Sequence, residues 1–216
     1  DVKDFFYRFY APNNAILSIA GNISFDETIR LVEKWFGPIP RREVHPRMLP
    51  QEPKQTEIRR MTVERDVPLD TLYMAFHTCN RTHPDYYAVD MLSDLLANGS
   101  SSRLIEHLVK QKQIFSQIDA YITGSFDEGL LKITGKPLPG ISLEEAEAYI
   151  WQELETLCQT MPEEKELEKV KNRYEAEQTI KSVNFLNNAV NMAYFELIGQ
   201  AEDVNDEVRN YHSVTP

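Results

Sequence analysis

The stretch TLYMAFHTCNRTHPDYYAVDMLSDLLANGSSSRLIEHLVKQK, Thr71 to Lys112, decides the fold. In its first part Leu72, Met74 and Phe76 alternate with Tyr73, Ala75 and His77, the two-residue period of a half-buried strand over Thr71–Cys79. After Pro84 the period lengthens. Tyr87, Met91, Leu92, Leu95 and Leu96 recur at helical spacing, and Asn98-Gly99 is a stop signal. Ser100–Ser102 then reads as the cap of a further helix ending near Lys112. Toward the C-terminus two more strands are expected, around Ile114–Thr123 and Gly129–Gly135, followed by the breaker Pro137–Ile141 and helices over 142–159, 162–182 and 184–199. Ser142 with Glu145 three residues on has the pattern of a capping box, and Pro162 suits a first helical residue.

Toward the N-terminus a strand is expected at Glu57–Arg65. Before it, residues 38–55 carry Pro38, Pro40, Pro46, Pro50 and Pro53 with almost no apolar periodicity, which reads as a stiff linker. Upstream lies a helix with Ile29, Val32, Trp35 and Phe36 on one face, opened by Ser24 and Glu27 as a second capping box and closed by Gly37-Pro38. A buried strand is expected at Ala15–Gly21. The chain opens on an amphipathic helix carrying Val2, Phe5, Phe6, Phe9 and Tyr10. Strands and helices mixed first, then a run of helices, predict an α+β fold: a mixed or antiparallel sheet covered by helices, with a helix-rich C-terminal part. Three segments follow: residues 1–38 as helix–strand–helix, 39–55 as linker, and 56–216 as a larger α+β unit. Ser213-Val214-Thr215-Pro216 has the grammar of a helix start, so the chain reads as a piece of a longer protein.

Composition excludes several classes of function. With 23 basic and 34 acidic side chains among 216 residues the net charge is −11, and the sequence pI is near 5.0. That removes the electrostatic basis for binding nucleic acid or an anionic membrane. No apolar run approaches the length of a membrane span. Cys79 and Cys158 are too few for a disulfide scaffold and read as thiols of a reducing, cytoplasmic compartment. Residues 144–177 hold eleven Glu against four Lys or Arg. They read as solvated helix faces or as an acidic wall for a basic partner.

The chemistry-bearing residues form no catalytic set. His45, His77, His83, His107 and His212 include no His-Glu-x-x-His or His-x-x-Glu-His arrangement. Glu106 and His107 are adjacent, so a helix points them about 100° apart and away from a shared metal. Gly99-Ser100-Ser101-Ser102-Arg103 lacks the Gly-Lys-Ser/Thr ending of a phosphate loop. The expectation is no catalytic, metal-binding or substrate-binding residue in this chain.

Two motifs together resemble the pitrilysin or insulinase-like zinc metallopeptidases. The first is Tyr10-x-Pro12-x-Asn14-x-x-Leu17-x-x-x-Gly21-Asn22 with a helix closed by Trp35-Phe36-Gly37. The second is Asp85-Tyr86-Tyr87-Ala88-x-Asp90-x-Leu92-x-x-Leu95-Leu96-x-x-Gly99-x-Ser101-Ser102-Arg103-Leu104-x-x-x-Leu108. The resemblance implies a clam-shell peptidase whose two homologous halves close around an extended peptide. Its catalytic Zn2+ is held by an inverted motif upstream of Asp1. This chain would then be the end of a first subdomain, a linker and most of a second, inactive one. It would be part of the chamber wall and half-to-half interface, silent by itself and needing a homologous second half or subunit. After the second motif the family often carries an Arg and a Tyr that hold substrate. Here Val109 and Ser116 stand at those positions, and Gln113 replaces a Gly. The resemblance therefore implies that a partner supplies the Arg–Tyr pair. Two other readings are a scaffold homologue that has lost activity and an acidic α+β module that binds a protein.

Overall fold

The structure is a computed structural model, and it describes residues 1–44, 50 and 52–216. In chain order it contains α1 (Val2–Phe9), α2 (Phe25–Phe36), β1 (Leu72–Thr78), α3 (Tyr86–Ala97), a π-helical turn at Ile105–Gln111, β2 (Phe115–Ile122), β3 (Gly129–Pro137), α4 (Leu143–Gln159), α5 (Glu164–Ser182), α6 (Phe185–Ile198) and α7 (Glu207–His212), with short 3-10 turns at Pro12–Asn14 and Ala201–Asn205. These elements divide into two compact units. One comprises Asp1–Arg65 with Ser182–Val204, the other Asp66–Lys181 with Asn205–Pro216.

The second unit is built on an antiparallel sheet of order β1-β3-β2. Register places Met74, Ile133 and Ala120 in one row and Leu72, Gly135 and Ile118 in the next. Alternation sends these side chains to one face, where Ile118 and Ile133 are fully buried. Gly135 is required there, because a Cβ would lie 2.5 Å from Cε1 of Phe115, whose ring fills the space. The core continues into Leu96, Leu104, Leu108, Ala146 and Ile150, so the helices after β1 and after β3 cover the same face. Phe76 meets the Trp151 ring edge-on at 5.5 Å. A second cluster, Met91, Leu95, Leu167, Val170 and Tyr211, joins α3, α5 and α7. The α+β architecture and antiparallel sheet agree with the sequence pattern. α4 is capped as expected, with Ser142 Oγ accepting from the Glu145 amide at 3.1 Å.

The first unit is different in kind. α1 and α2 bury no residue; Phe5, Phe6 and Trp35 are half or more exposed, and Phe36 is nearly so. Its fixed points are polar. Asn13 exchanges two hydrogen bonds with the Arg42 backbone, at 2.9 and 3.0 Å, and Asn14 Nδ2 donates to the Phe9 carbonyl at the end of α1. Asn13 and Asn14 thus tie the turn after α1 to both its neighbours.

Several sequence expectations are corrected. Ala15–Gly21 and Glu57–Arg65 form no strand; Ile16, Leu17, Ile19, Ile58 and Val63 are exposed. A β period becomes a strand only when another strand completes its hydrogen-bond ladder, and none of the described strands pairs with either segment. Ser24 makes no side-chain cap, and the Glu27 carboxylate, instead of reaching back to the Ser24 amide, accepts from Arg30 at 2.6 and 2.8 Å. α5 begins at Glu164, two residues after Pro162. The helix after Ser102 is wound as a π-turn. α7 and the turn before it were not foreseen. Part of the expected linker, including His45, lies outside the described residues.

Candidate functional site

The Gly-Ser-Ser-Ser-Arg turn is held by side chains from α5. Arg103 forms a two-pronged ion pair with Glu166 at 2.8 and 2.9 Å, with both side chains mostly buried. Lys169 Nζ donates to the Ser101 carbonyl and hydroxyl, and Arg173 donates to the Asn98 carbonyl. Gly99 adopts a left-handed φ of 102°, and a Cβ there would approach Arg173 Nη1 to 2.9 Å. Ser102 Oγ donates to the Gly99 carbonyl at 2.7 Å. Arg103, Lys169 and Arg173 tie the turn to α5, and Ser102 closes it. The hydrogen bond from Arg103 holds the Glu166 carboxyl below the usual carboxylate range.

The π-turn follows directly. Its wide hydrogen bonds run from the Lys112 amide to the His107 carbonyl and from the Ile114 amide to the Leu108 carbonyl. The exit needs Gln113 at φ 54°, a left-handed conformation costly for a residue with a Cβ. Val109 packs against the main core cluster rather than standing clear of it. Ser116, exposed at the start of β2, donates to the Lys136 carbonyl across the sheet at 3.0 Å.

His107 does have a partner, but one the sequence could not point to. Its Nδ1 lies 2.6 Å from Glu153 Oε2, while Lys112 Nζ donates to Glu153 Oε1 at 3.2 Å and sits 5.2 Å from the Tyr149 ring centroid. Glu153 is only 9% exposed, so both oxygens are used where water is scarce. This is an ion-paired buckle between the π-turn and α4. It does not fit a zinc ion, because the Lys112 ammonium already neutralises the carboxylate a metal would need. Among the described residues no group of three or more His, Cys, Asp or Glu is placed to hold a metal. His212 faces Glu175 at 3.0 Å, and His77 lies on the exposed face of β1, opposite Met74 and Phe76. Of the acidic stretch, Glu153, Glu166, Glu175 and Glu177 are engaged within the chain itself.

The Gly-Ser-Ser-Ser-Arg turn is thus tied to α5, and the π-turn is buckled to α4. The family model that describes the peptidase M16 inactive domain matches residues 1–174. The chain belongs to this family. The zinc protease PqqE of Helicobacter pylori is 29% identical over 182 residues, which is 82% of this chain and 40% of that protein. The uncharacterized zinc protease YmxG of Bacillus subtilis is 27% identical over 172 residues, 80% of this chain and 41% of that one. A crystal structure of a protease from Helicobacter pylori superimposes with a TM-score of 0.91 at 25% identity, covering 99% of this chain and 52% of that chain. This M16 inactive domain therefore spans about two fifths of the length of those two curated relatives and about half of that crystallised chain.

The resemblance read from the two motifs is thus shown, and the non-catalytic character of the domain with it. No helix among the described residues is long and apolar enough to cross a membrane.

Proposed function

We propose that this chain is the non-catalytic portion of a zinc-dependent metalloendopeptidase that hydrolyses peptides in a closed chamber. In this reading residues 1–38 close an upstream subdomain, 39–55 link, and 56–216 form a second subdomain contributing chamber wall and half-to-half interface. The observation that carries it is the match of the inactive-domain family over residues 1–174. The bare apolar faces of α1 and α2 support the assignment of 1–38, since such faces are stable against a partner layer and not against water. The catalytic Zn2+ belongs to the parent's own upstream part, as the described residues here do not fit it. With Val109 and Ser116 at the gripping positions, the Arg–Tyr pair and the rest of the peptide site come from a homologous second half or subunit, making the working enzyme a dimer of halves. The compartment is cytoplasmic, a reading supported by the two free thiols, Cys79 and Cys158.

The test is to assay the purified chain for zinc content and for cleavage of a quenched extended peptide, alone and within its full-length parent mixed with candidate partner halves. The chain alone is expected to hold no stoichiometric zinc and to cleave nothing. The parent is expected to gain activity only with a half carrying Arg and Tyr. Zinc-dependent cleavage by the isolated chain would overturn the reading.

A further inference from the structure

A buried polar cluster beneath α7 is used by nothing described so far. Helix α7 has six residues, too few to persist unaided. Four kinds of contact dock it. Both carboxylate oxygens of Glu207 accept from Arg81 Nη2 at 2.8 Å, and one of them also accepts from the Tyr174 hydroxyl at 3.2 Å. Asn210 donates to the Tyr87 hydroxyl. The Tyr211 ring lies 3.7 Å from that of Tyr174 and 4.9 Å from that of Tyr87, and its hydroxyl donates to Asp90. Lys171 caps the end by donating to the carbonyls of His212 and Val214.

The charges in this cluster do not balance. Arg81 (7% exposed) gives its Nη2 to Glu207, with the rings of Tyr86 and Tyr87 beneath it at 4.4 and 5.2 Å. Asp90, on α3, has the Tyr211 phenol as its side-chain hydrogen-bond partner and forms no salt bridge among the described residues. The titratable groups around it are Asp94 on its own helix, Arg81 before α3, Tyr86 and Tyr87 at the start of α3, Tyr174 on α5, and Glu207 and Tyr211 on α7. One guanidinium thus serves two carboxylates in a setting poor in water, an arrangement that favours uptake of a proton.

We propose that α7 is a proton-tightened latch, in which Asp90 takes up a proton when the helix docks and gives it up when the helix swings away. Protonated Asp90 still bonds the Tyr211 oxygen and no longer buries an unmatched charge. Burial holds the Asp90 carboxyl above its ordinary range, against the Tyr211 hydrogen bond and the charge of Arg81. The docked form therefore binds the proton more tightly. Its added stability is fully present below the ordinary carboxylate pKa and is lost as pH rises through the elevated value. The latch matters because of the chain's route. Residues 182–204 leave the second unit after Lys181 and return at Asn205, so α7 fastens the far end of that excursion.

Hydrogen exchange followed by mass spectrometry on peptides spanning 205–216 of the intact protein tests this, after correction for intrinsic exchange. From about pH 8 down to the ordinary carboxylate range, about pH 4, protection of that segment is expected to rise threefold or more. Asp90→Asn, which keeps an acceptor for Tyr211 without the charge, should be more protected at the higher pH and flat across the range. Tyr211→Phe should open the segment, most strongly at the higher pH. A pH response that survives in Asp90→Asn would assign the effect to another group and overturn the proposal, as would a wild-type segment whose protection does not change.

Discussion

Helices α2 and α4 look alike as sequence and end up in opposite circumstances. Both are amphipathic and both begin at a serine. α4 buries Ala146, Ile150 and Glu153 under the sheet, whereas α2 buries nothing and leaves Trp35 66% exposed. The contrast extends to the two units that hold them. Hydrophobic periodicity says which face of an element is to be covered and is silent on whether the same stretch of chain supplies the cover. In the second unit the sheet, two buckles of charged side chains and two apolar clusters supply it. In the first, backbone-directed asparagines hold the turns while the apolar faces stand open.

The largest effect should come from asking each unit for the same thing. Ile133→Ala empties a fully buried site and is expected to cost about 3 kcal/mol in urea unfolding. Trp35→Ala should cost under about 1 kcal/mol in this chain. Equal losses would mean that the first unit has a core of its own. Val109→Arg drives a guanidinium into the main cluster and should cost about 2 kcal/mol, with no gain in peptidase activity of an assembled enzyme, whereas Ser116→Tyr at an exposed site should stay within about 0.5 kcal/mol. A marked rise in activity with the pair would break the idea that a partner half supplies the grip.

Smaller again is Glu166→Gln, expected to cost about 1 kcal/mol at neutral pH by weakening the tie between the Gly-Ser-Ser-Ser-Arg turn and α5. Because Arg103 depresses the Glu166 carboxyl, its contribution is present above the ordinary carboxylate pKa and disappears as pH falls through the depressed value. The gap between wild type and variant should therefore close in acid, and stability curves that stay parallel would rule the tie out. The last prediction has the opposite sign. Gln113→Gly should stabilise by up to about 1 kcal/mol, since it relieves a left-handed residue, and a loss instead would mean the Gln113 side chain matters more than its backbone.

What was legible in the sequence is what local pattern controls. The period-two runs at 71–79, 114–123 and 129–135 became β1, β2 and β3, and the helical runs became α1 to α6 within a few residues. Ala15–Gly21 and Glu57–Arg65 have an equally good period and formed no strand, because pairing depends on another segment. Long-range polar geometry was equally out of reach. Nothing near His107 announces Glu153, 46 positions away, and nothing near Arg81 announces Glu207, 126 away. α7 was missed for the same reason. Its six residues carry too little periodicity, and what fixes it lies on α3, on α5 and, with Arg81, ahead of α3.

The π-helical turn bears on how chains of this family are laid side by side. Closing each ring five residues back instead of four takes up one residue more than an α-helix needs for the same path. Removing a single residue between Ile105 and Gln111 would return the segment to ordinary winding without moving its entry at Leu104 or its exit at Ile114. Sequence count and spatial position therefore part company here by one. A homologue without the extra residue presents, at the place Val109 occupies by count, the direction that belongs to a neighbouring residue in this chain. Deletion scanning through these seven positions should find shortened chains that still fold, in a part of the second unit where every other loss of length would shear the core.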